Sequence, residues 1–203
     1  QHRWAEAHAR GAFRDELAPM KELEVDEHPR PDTTLEKLAA LRPAFKPDGT
    51  VTSGNASGIN DGAAMLVVCG ERAGLDHGWT PLAVVEGWAA VGCDPARMGL
   101  GPVHAVRALL ERRIEKVERY DLVELNEAFA AQALACMRQL NLDPERVNPC
   151  GGAIAMGHPI GASGARLLVH LAHRVARDEA RHALATLCVG GGMGVAVALG
   201  HAG

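Results

Sequence analysis

Three side chains in this sequence are of the types that move protons and acyl groups, and each stands where an apolar run gives way to a loop. Asn126 opens Asn-Glu-Ala-Phe-Ala (126–130), His158 lies within the stretch 148–166, and Cys188 opens Cys-Val-Gly-Gly-Gly-Met-Gly (188–194). An amide is a neutral, directional hydrogen-bonding group that does not titrate. An imidazole titrates near neutrality and can take and return a proton. A thiol becomes a nucleophile or a base once it loses its proton, ordinarily near pH ~8.5. Together these groups are the inventory of an acyl-transfer site. The stretch around His158, N-P-C-G-G-A-I-A-M-G-H-P-I-G-A-S-G-A-R, carries five glycines and two prolines. Glycine has no Cβ, so such a run can turn tightly and approach a ligand closely. Taken alone, the same stretch reads as a turn-rich loop feeding a helix, with Ser163 or a neighbour capping the run 165–176, and His158 as a core histidine bonded to a carbonyl.

A fourth stretch joins these three: Gly-Thr-Val-Thr-Ser-Gly-Asn-Ala-Ser-Gly-Ile-Asn-Asp-Gly-Ala-Ala at 49–64. In this order and spacing the four motifs resemble the C-terminal half of the thiolases, the acetyl-CoA C-acyltransferases and 3-ketoacyl-CoA thiolases, and the likeness runs along essentially the whole chain. The resemblance implies an α/β fold of layered α-β-α-β-α type, with only the C-terminal domain complete here. The implied division is 1–60 for the remainder of the coenzyme A-binding loop domain, 61–80 for the last segment of the N-terminal domain, and 81–203 for the C-terminal domain. It implies ping-pong acyl transfer to or from coenzyme A, by reversible Claisen condensation or thiolytic cleavage of 3-ketoacyl-CoA. Coenzyme A and acyl-CoA would be substrates, with no metal, redox or prosthetic group, and the complete enzyme would be a homodimer or homotetramer.

The family's nucleophilic cysteine lies in its N-terminal half, and nothing here stands in its place. The chain also opens without Met and inside a helical pattern, with Trp4, His8 and Phe13 at roughly helical spacing. We therefore expect a fragment, inactive alone, whose partner is the missing N-terminal half. Residue by residue, the resemblance makes His158 the acid–base that takes the nucleophile's proton and later carries positive charge beside an enolate oxygen. Cys188 would remove and return an α-proton. Gly190 would offer a backbone N–H to one oxyanion, and Asn126 would hold a water that binds the other with His158. Glu127 either orients groups near the site or begins a helix, which acids favour. On the coenzyme A side stand Arg30, Ser53, Gly54 and Ser57; thiolases commonly have alanine where Ser53 stands. Phe129 and Met156 would wall the acyl pocket. Cys150 replaces a more usual Asn or Asp and is given no catalytic role.

Two rivals remain. The β-ketoacyl synthases place a second histidine where this chain has Cys188. A non-catalytic protein could keep the fold only to bind acyl-CoA or a lipid.

The bulk properties fit a globular chain. Of 203 residues, 47% are hydrophobic, enough for a sizeable core, and 23% are charged. A net charge of −4 argues against nucleic-acid binding, and no apolar run reaches membrane-spanning length. The opening residues, Gln1 to Arg10, are polar and charged and do not read as a secretory signal. Five cysteines without a C-x-x-C pair point to free thiols in a reducing compartment, taken as cytoplasmic. Cys69, Cys93 and Cys136 read as small core residues.

The elements that must position the motifs follow from pattern. Residues 1–17 predict a helix and 18–30 an irregular segment. A short helix starts near Asp32–Glu36 and stops before Pro43. The runs 63–69 and 82–91 predict strands buried on both faces, parted by a short helix near Gly70 and a domain boundary at 74–81. Pro102 starts a helix with Val103, Val106, Leu109 or Leu110, Ile114 and Val117 on its inner face. Thiolases usually end this helix with a glycine near Ile114; its absence predicts a longer or frayed helix. A strand at 121–125, helices at 127–140 and 161–177, and a hairpin of 183–189 with 193–199 complete the pattern.

Overall fold

The computed structural model describes residues 1–202. Its frame is a four-stranded mixed sheet in the order β1-β4-β3-β2, built from β1 (Val84–Gly92), β2 (Leu122–Leu125), β3 (His182–Val189) and β4 (Met193–Gly200). The strands β3 and β4 form the expected antiparallel hairpin, with Val189 opposite Met193. Its turn needs Gly191 and Gly192, whose φ of 91° and 87° lie in the left-handed region. β2 joins β3 in parallel, so the chain must cross over through helices between them.

Period-two alternation divides the sheet into two faces. One face carries Val123, Leu125, Leu184, Ala196 and Ala198 and packs on α4 (Gly101–Arg113) and α5 (Ala130–Leu140) through Val103, Val106, Leu109 and Cys136. The other carries Leu122, Ala183, Ala185 and Leu199 and packs on α7 (Ser163–Ala176) through Leu167, Leu171 and Val175. A smaller cluster of Trp4, Ala7, Phe13, Cys150 and Ala155 ties α1 (His2–Ala9) to the short α6 (Ala153–Met156). This α/β layering is the fold class the alternation of strands and helices implies.

Several expectations are corrected. The run 63–69 is not a strand and is exposed, with Val67 at 78%. A strand is held by its ladder partner, and no described strand lies beside this run. Cys69 is therefore exposed and Cys93 half-buried; of the three cysteines read as core, only Cys136 is buried. The run 82–91 does form β1, but as an edge strand with only Ala89 buried. The first helix ends at Ala9 and gives way to turns. The helix expected from 127 starts at Ala130, because Phe129 is extended and bridges to Ala56.

The helix α4 neither lengthens nor frays. It stops at Arg113, and Ile114 takes the left-handed cap conformation at φ 54°. Elsewhere the local chemistry behaves as read: Thr34 caps α2 (Leu35–Ala39), accepting from the Lys37 amide at 3.2 Å. α3 (Glu71–His77) follows Gly70 and ends at Gly78 with φ 66°.

Candidate active site

Four stretches distant in sequence converge where β2 ends. Asn126 leaves β2 with its amide bonded to the Thr186 carbonyl on β3 at 3.0 Å, so the sheet fixes its backbone. Its side chain is almost wholly buried, and its Nδ2 lies 3.3 Å from His158 Nε2. On the other side of the ring, His158 Nδ1 lies 2.5 Å from Ser163 Oγ, and that hydroxyl donates to the Pro159 carbonyl at 3.0 Å. A serine has one O–H to give. With it committed to Pro159, the ring must donate from Nδ1, which leaves Nε2 with its lone pair and Asn126 as donor. Burial, with the positive charge of Arg166 as a second cause, lowers the His158 pKa below its ordinary value. The ring is thus a neutral imidazole whose Nε2 lone pair accepts from Asn126.

Ser163 was the candidate cap for the last long helix. It is instead the first helical residue, after Ala162, and its hydroxyl turns back to His158 and Pro159.

The backbone of His158 is held from the loop 50–62. Its N–H donates to the Gly58 carbonyl at 3.0 Å, with Asn60 Oδ1 at 3.3 Å. Gly157 permits this approach: its φ is 94°, and a Cβ there would stand 2.2 Å from Asn60 Oδ1. The same loop is stitched to 126–130, since the Ala130 amide donates to the Asn55 carbonyl at 2.8 Å and the Ser57 amide to Ala128 at 3.0 Å.

Asn148 ties in the fourth stretch. At φ 46° it exchanges two hydrogen bonds with the Leu125 backbone, at 2.9 and 2.8 Å, and gives a third to Glu127 Oε1 at 3.0 Å. Glu127 Oε2 accepts from the Ile154 amide at the start of α6 at 3.1 Å. So Glu127 orients the glycine-rich loop and does not begin a helix. Sequence reasoning missed Asn148, Asn60 and the role of Ser163; an asparagine beside Pro149 and two glycines was the available sign of a left-handed position.

Cys188 stands two residues beyond Thr186 on β3 and is buried. Burial raises its pKa, opposed by a backbone hydrogen bond and reinforced by Cys93, so the thiol holds its proton near neutrality. No hydrogen bond joins it to His158 among the described residues. Gly190 is exposed at the mouth of the hairpin turn.

Other expected residues have local partners. The Arg30 guanidinium folds back onto the carbonyls of Glu27, His28 and Pro29 at 2.6 to 3.0 Å. Ser57 Oγ donates to Ala128 O at 3.2 Å, Ser53 is exposed, and a Cβ at Gly54 would strike Leu38 and Leu41 at 2.5 and 2.6 Å. Phe129 meets Phe45 edge-on at 6.2 Å between centroids, and Met156 packs on the cluster around Trp4. Cys150, fully buried, accepts from Arg174 at 2.8 Å and Arg10 at 3.3 Å. Burial pushes its thiol up, but contact with His170 and the charges of Arg174 and Arg10 outweigh it, and its pKa falls.

The arrangement presents an oriented neutral base, a buried amide and a protonated thiol at the ends of two neighbouring strands. Asn126 Oδ1 is left as a buried acceptor without a partner among the described residues, a need that one water donor would meet.

Comparison with known proteins gives one answer. The family model described as "Thiolase, C-terminal domain" matches residues 79–201, and "Thiolase, N-terminal domain" matches 1–72. The mitochondrial 3-ketoacyl-CoA thiolase of Bos taurus is 47% identical over 205 residues, covering 97% of this chain and 52% of its own length. The β-ketoadipyl-CoA thiolase of Pseudomonas aeruginosa is 51% identical over 209 residues, covering 98% and 52%. Among solved structures, human mitochondrial 3-ketoacyl-CoA thiolase in complex with CoA superposes at a TM-score of 0.93 with 46% identity, over 100% of this chain and 52% of that one. The chain thus spans about half the length of the relatives it matches.

Proposed function

Because this chain belongs to the thiolase family, we propose that it is the C-terminal part of an acyltransferase that makes and cleaves 3-ketoacyl-CoA by transferring acyl groups to and from coenzyme A. The observation that carries this reading is the chain of hydrogen bonds from Asn126 through His158 to Ser163, at 3.3 and 2.5 Å. A histidine held this way has one free function, proton exchange at Nε2. It takes the proton of a nucleophilic thiol supplied by a preceding half, and as imidazolium it then stands beside the oxygen of an enolate. Asn126 with a bound water shares that oxyanion. Cys188 removes the α-proton and returns it in cleavage. Carbon acids are too weak for a protonated thiol to work alone, so oxyanion stabilisation, including the Gly190 N–H, must act in the same step.

In this reading Arg30, Ser53, Gly54 and Ser57 lie along coenzyme A, and Phe129 and Met156 bound the acyl pocket. The chain divides at 1–60, 61–80 and 81–203, and the complete protein is a homo-oligomer. Five free thiols suit a reducing compartment; no described helix is long and apolar enough to cross a membrane.

The test is thiolysis of acetoacetyl-CoA by this chain continued upstream with a thiolase N-terminal half. We expect Cys188→Ser to lower turnover by about 10²-fold or more, the scale of a lost acid–base group, while acetyl transfer from acetyl-CoA onto the nucleophile, which breaks no carbon–carbon bond, persists. His158→Asn should impair that acylation itself. Undiminished turnover in Cys188→Ser would remove the thiol from the mechanism, and unchanged acylation in His158→Asn would make the histidine structural.

A further inference from the structure

One face of α7 carries a stripe of polar side chains at helical spacing, Ser163, Arg166, His170 and Arg174, which the capping residue Arg177 continues. Such a stripe on a helix packed against a sheet must be matched from the other side. Arg177 meets Asp15 at 3.3 Å and Glu179 at 2.7 Å, and Arg174 meets Glu179 and Cys150. His170 Nδ1 meets Glu16 at 2.9 Å. Arg166 meets Glu124, with Nη2 and Oε2 3.6 Å apart.

Glu124 is unusual. It is fully buried on β2, two residues before Asn126, and neither carboxyl oxygen has a hydrogen-bond donor. Its near neighbours are two cationic side chains, Arg166 and, at 4.0 Å, His170 Nε2. A buried carboxyl in this setting does not hold a surface together. It pairs by charge with the guanidinium above it, without a hydrogen bond, since Arg166 Nη2 is likewise a buried donor that has no partner among the described residues. Arg166 is one turn from Ser163 on α7, and Glu124 precedes Asn126 by two residues along β2, so the charged pair lies behind the two residues that contact the imidazole.

Resting on the acyl-transfer reading above, we propose that Arg166, paired by charge with the buried Glu124, is a positioning residue for His158: it fixes a positive charge near the ring and so keeps His158 a neutral base protonated on Nδ1. The groups facing His158 fit this role. Asn126 from β2, Asn60 from the loop 50–62 and Ser163 from α7 are all neutral. Arg166 is the charge that reaches the ring, lowering its pKa together with burial. Arg166 itself faces Glu124 and the Asp26 carboxyl, which burial raises and which His8, Arg166 and His28 pull back. Glu124 is likewise raised by burial, against His170, Arg166 and Arg174, with Glu127 adding to the rise.

The test is a pH titration of the imidazole 15N signals of the 203-residue chain, with His158 assigned by its loss in His158→Asn. In the wild-type chain we expect the Nδ1–H form at pH 7 and a midpoint below the ordinary imidazole value of about 6.5. Arg166→Gln should move that midpoint upward, whereas Arg166→Lys, which keeps the charge, should leave it near the wild-type position. An unmoved midpoint in Arg166→Gln overturns the proposal. Should that variant not fold, Arg166→Met is read in its place with the same upward shift expected; a wild-type midpoint at or above the ordinary value, or protonation on Nε2 alone at pH 7, also overturns the proposal. The titration involves no turnover, so its failure leaves the acyl-transfer reading intact, and failure of thiolysis leaves the charge geometry to be judged by the titration.

Discussion

At the scale of single residues, the five cysteines separate by surroundings that their letters do not disclose. Cys69 is exposed, Cys188 is buried with a raised pKa, and Cys150 is buried with a lowered one. Alkylation needs both thiolate and access. With iodoacetamide at pH 7 and peptide mapping by mass spectrometry, Cys69 should be modified first and Cys188 much more slowly. The Cys188 rate should climb as pH passes the ordinary thiol range, since a raised pKa delays the thiolate. Cys188 reacting at pH 7 as fast as Cys69 would mean an exposed or activated thiol. The types and order of Asn126, His158 and Cys188 were legible in the sequence because a reaction demands them. The roles of Ser163 and Asn148 were not, because a hydroxyl and an amide serve equally as caps, turn formers or partners. Which of these they become is settled by a ring five residues away and a strand end twenty-three residues away.

Elements were legible where the pattern needs no partner outside itself. Helix α4 follows from Pro102 and the spacing of Val103, Val106 and Leu109, all buried as expected. Its end was not, because stopping depends on the energy of one conformation. Ile114 sits at φ 54° with 94% of its surface exposed. A left-handed conformation costs an ordinary L-residue roughly 1–2 kcal/mol, and a β-branched side chain is among the least suited to it. The helix nevertheless ends there, because the Ile114 and Glu115 amides find the Glu111 and Leu110 carbonyls, a closing pattern that a longer helix would forgo. Ile114→Gly removes the strain and loses almost no burial. It should stabilise the chain by about 1 kcal/mol net of glycine's greater unfolded-state freedom. In a chain of this length that is a rise in Tm of roughly 2–4 °C. An unchanged or lower Tm would show that Ile114 bears no strain.

For the whole molecule, the decisive fact is the contrast between a dense C-terminal sheet and the apolar run before it. The run 63–69 has the composition of a strand buried on both faces, which is what its pattern predicts. What it lacks is a ladder to join, and backbone groups without a partner turn to water. Met65, Val67 and Val68 are left 78–86% exposed, near α3 with its exposed Leu75, and β1 adds an edge strand with exposed Val85 and Trp88. An extended apolar segment and an uncovered apolar edge are the surfaces through which chains associate. The 203-residue chain in isolation should therefore self-associate at micromolar concentrations, as read by sedimentation velocity. Val67→Lys places a charge at the centre of the run without touching β2, α7 or the loop 50–62, so it should shift the distribution toward monomer and leave the imidazole spectrum of His158 unchanged. If Val67→Lys leaves association unaltered, the contact runs through β1, and Trp88→Lys should relieve it. If both variants associate like the wild type, exposed apolar surface is not what draws the chains together.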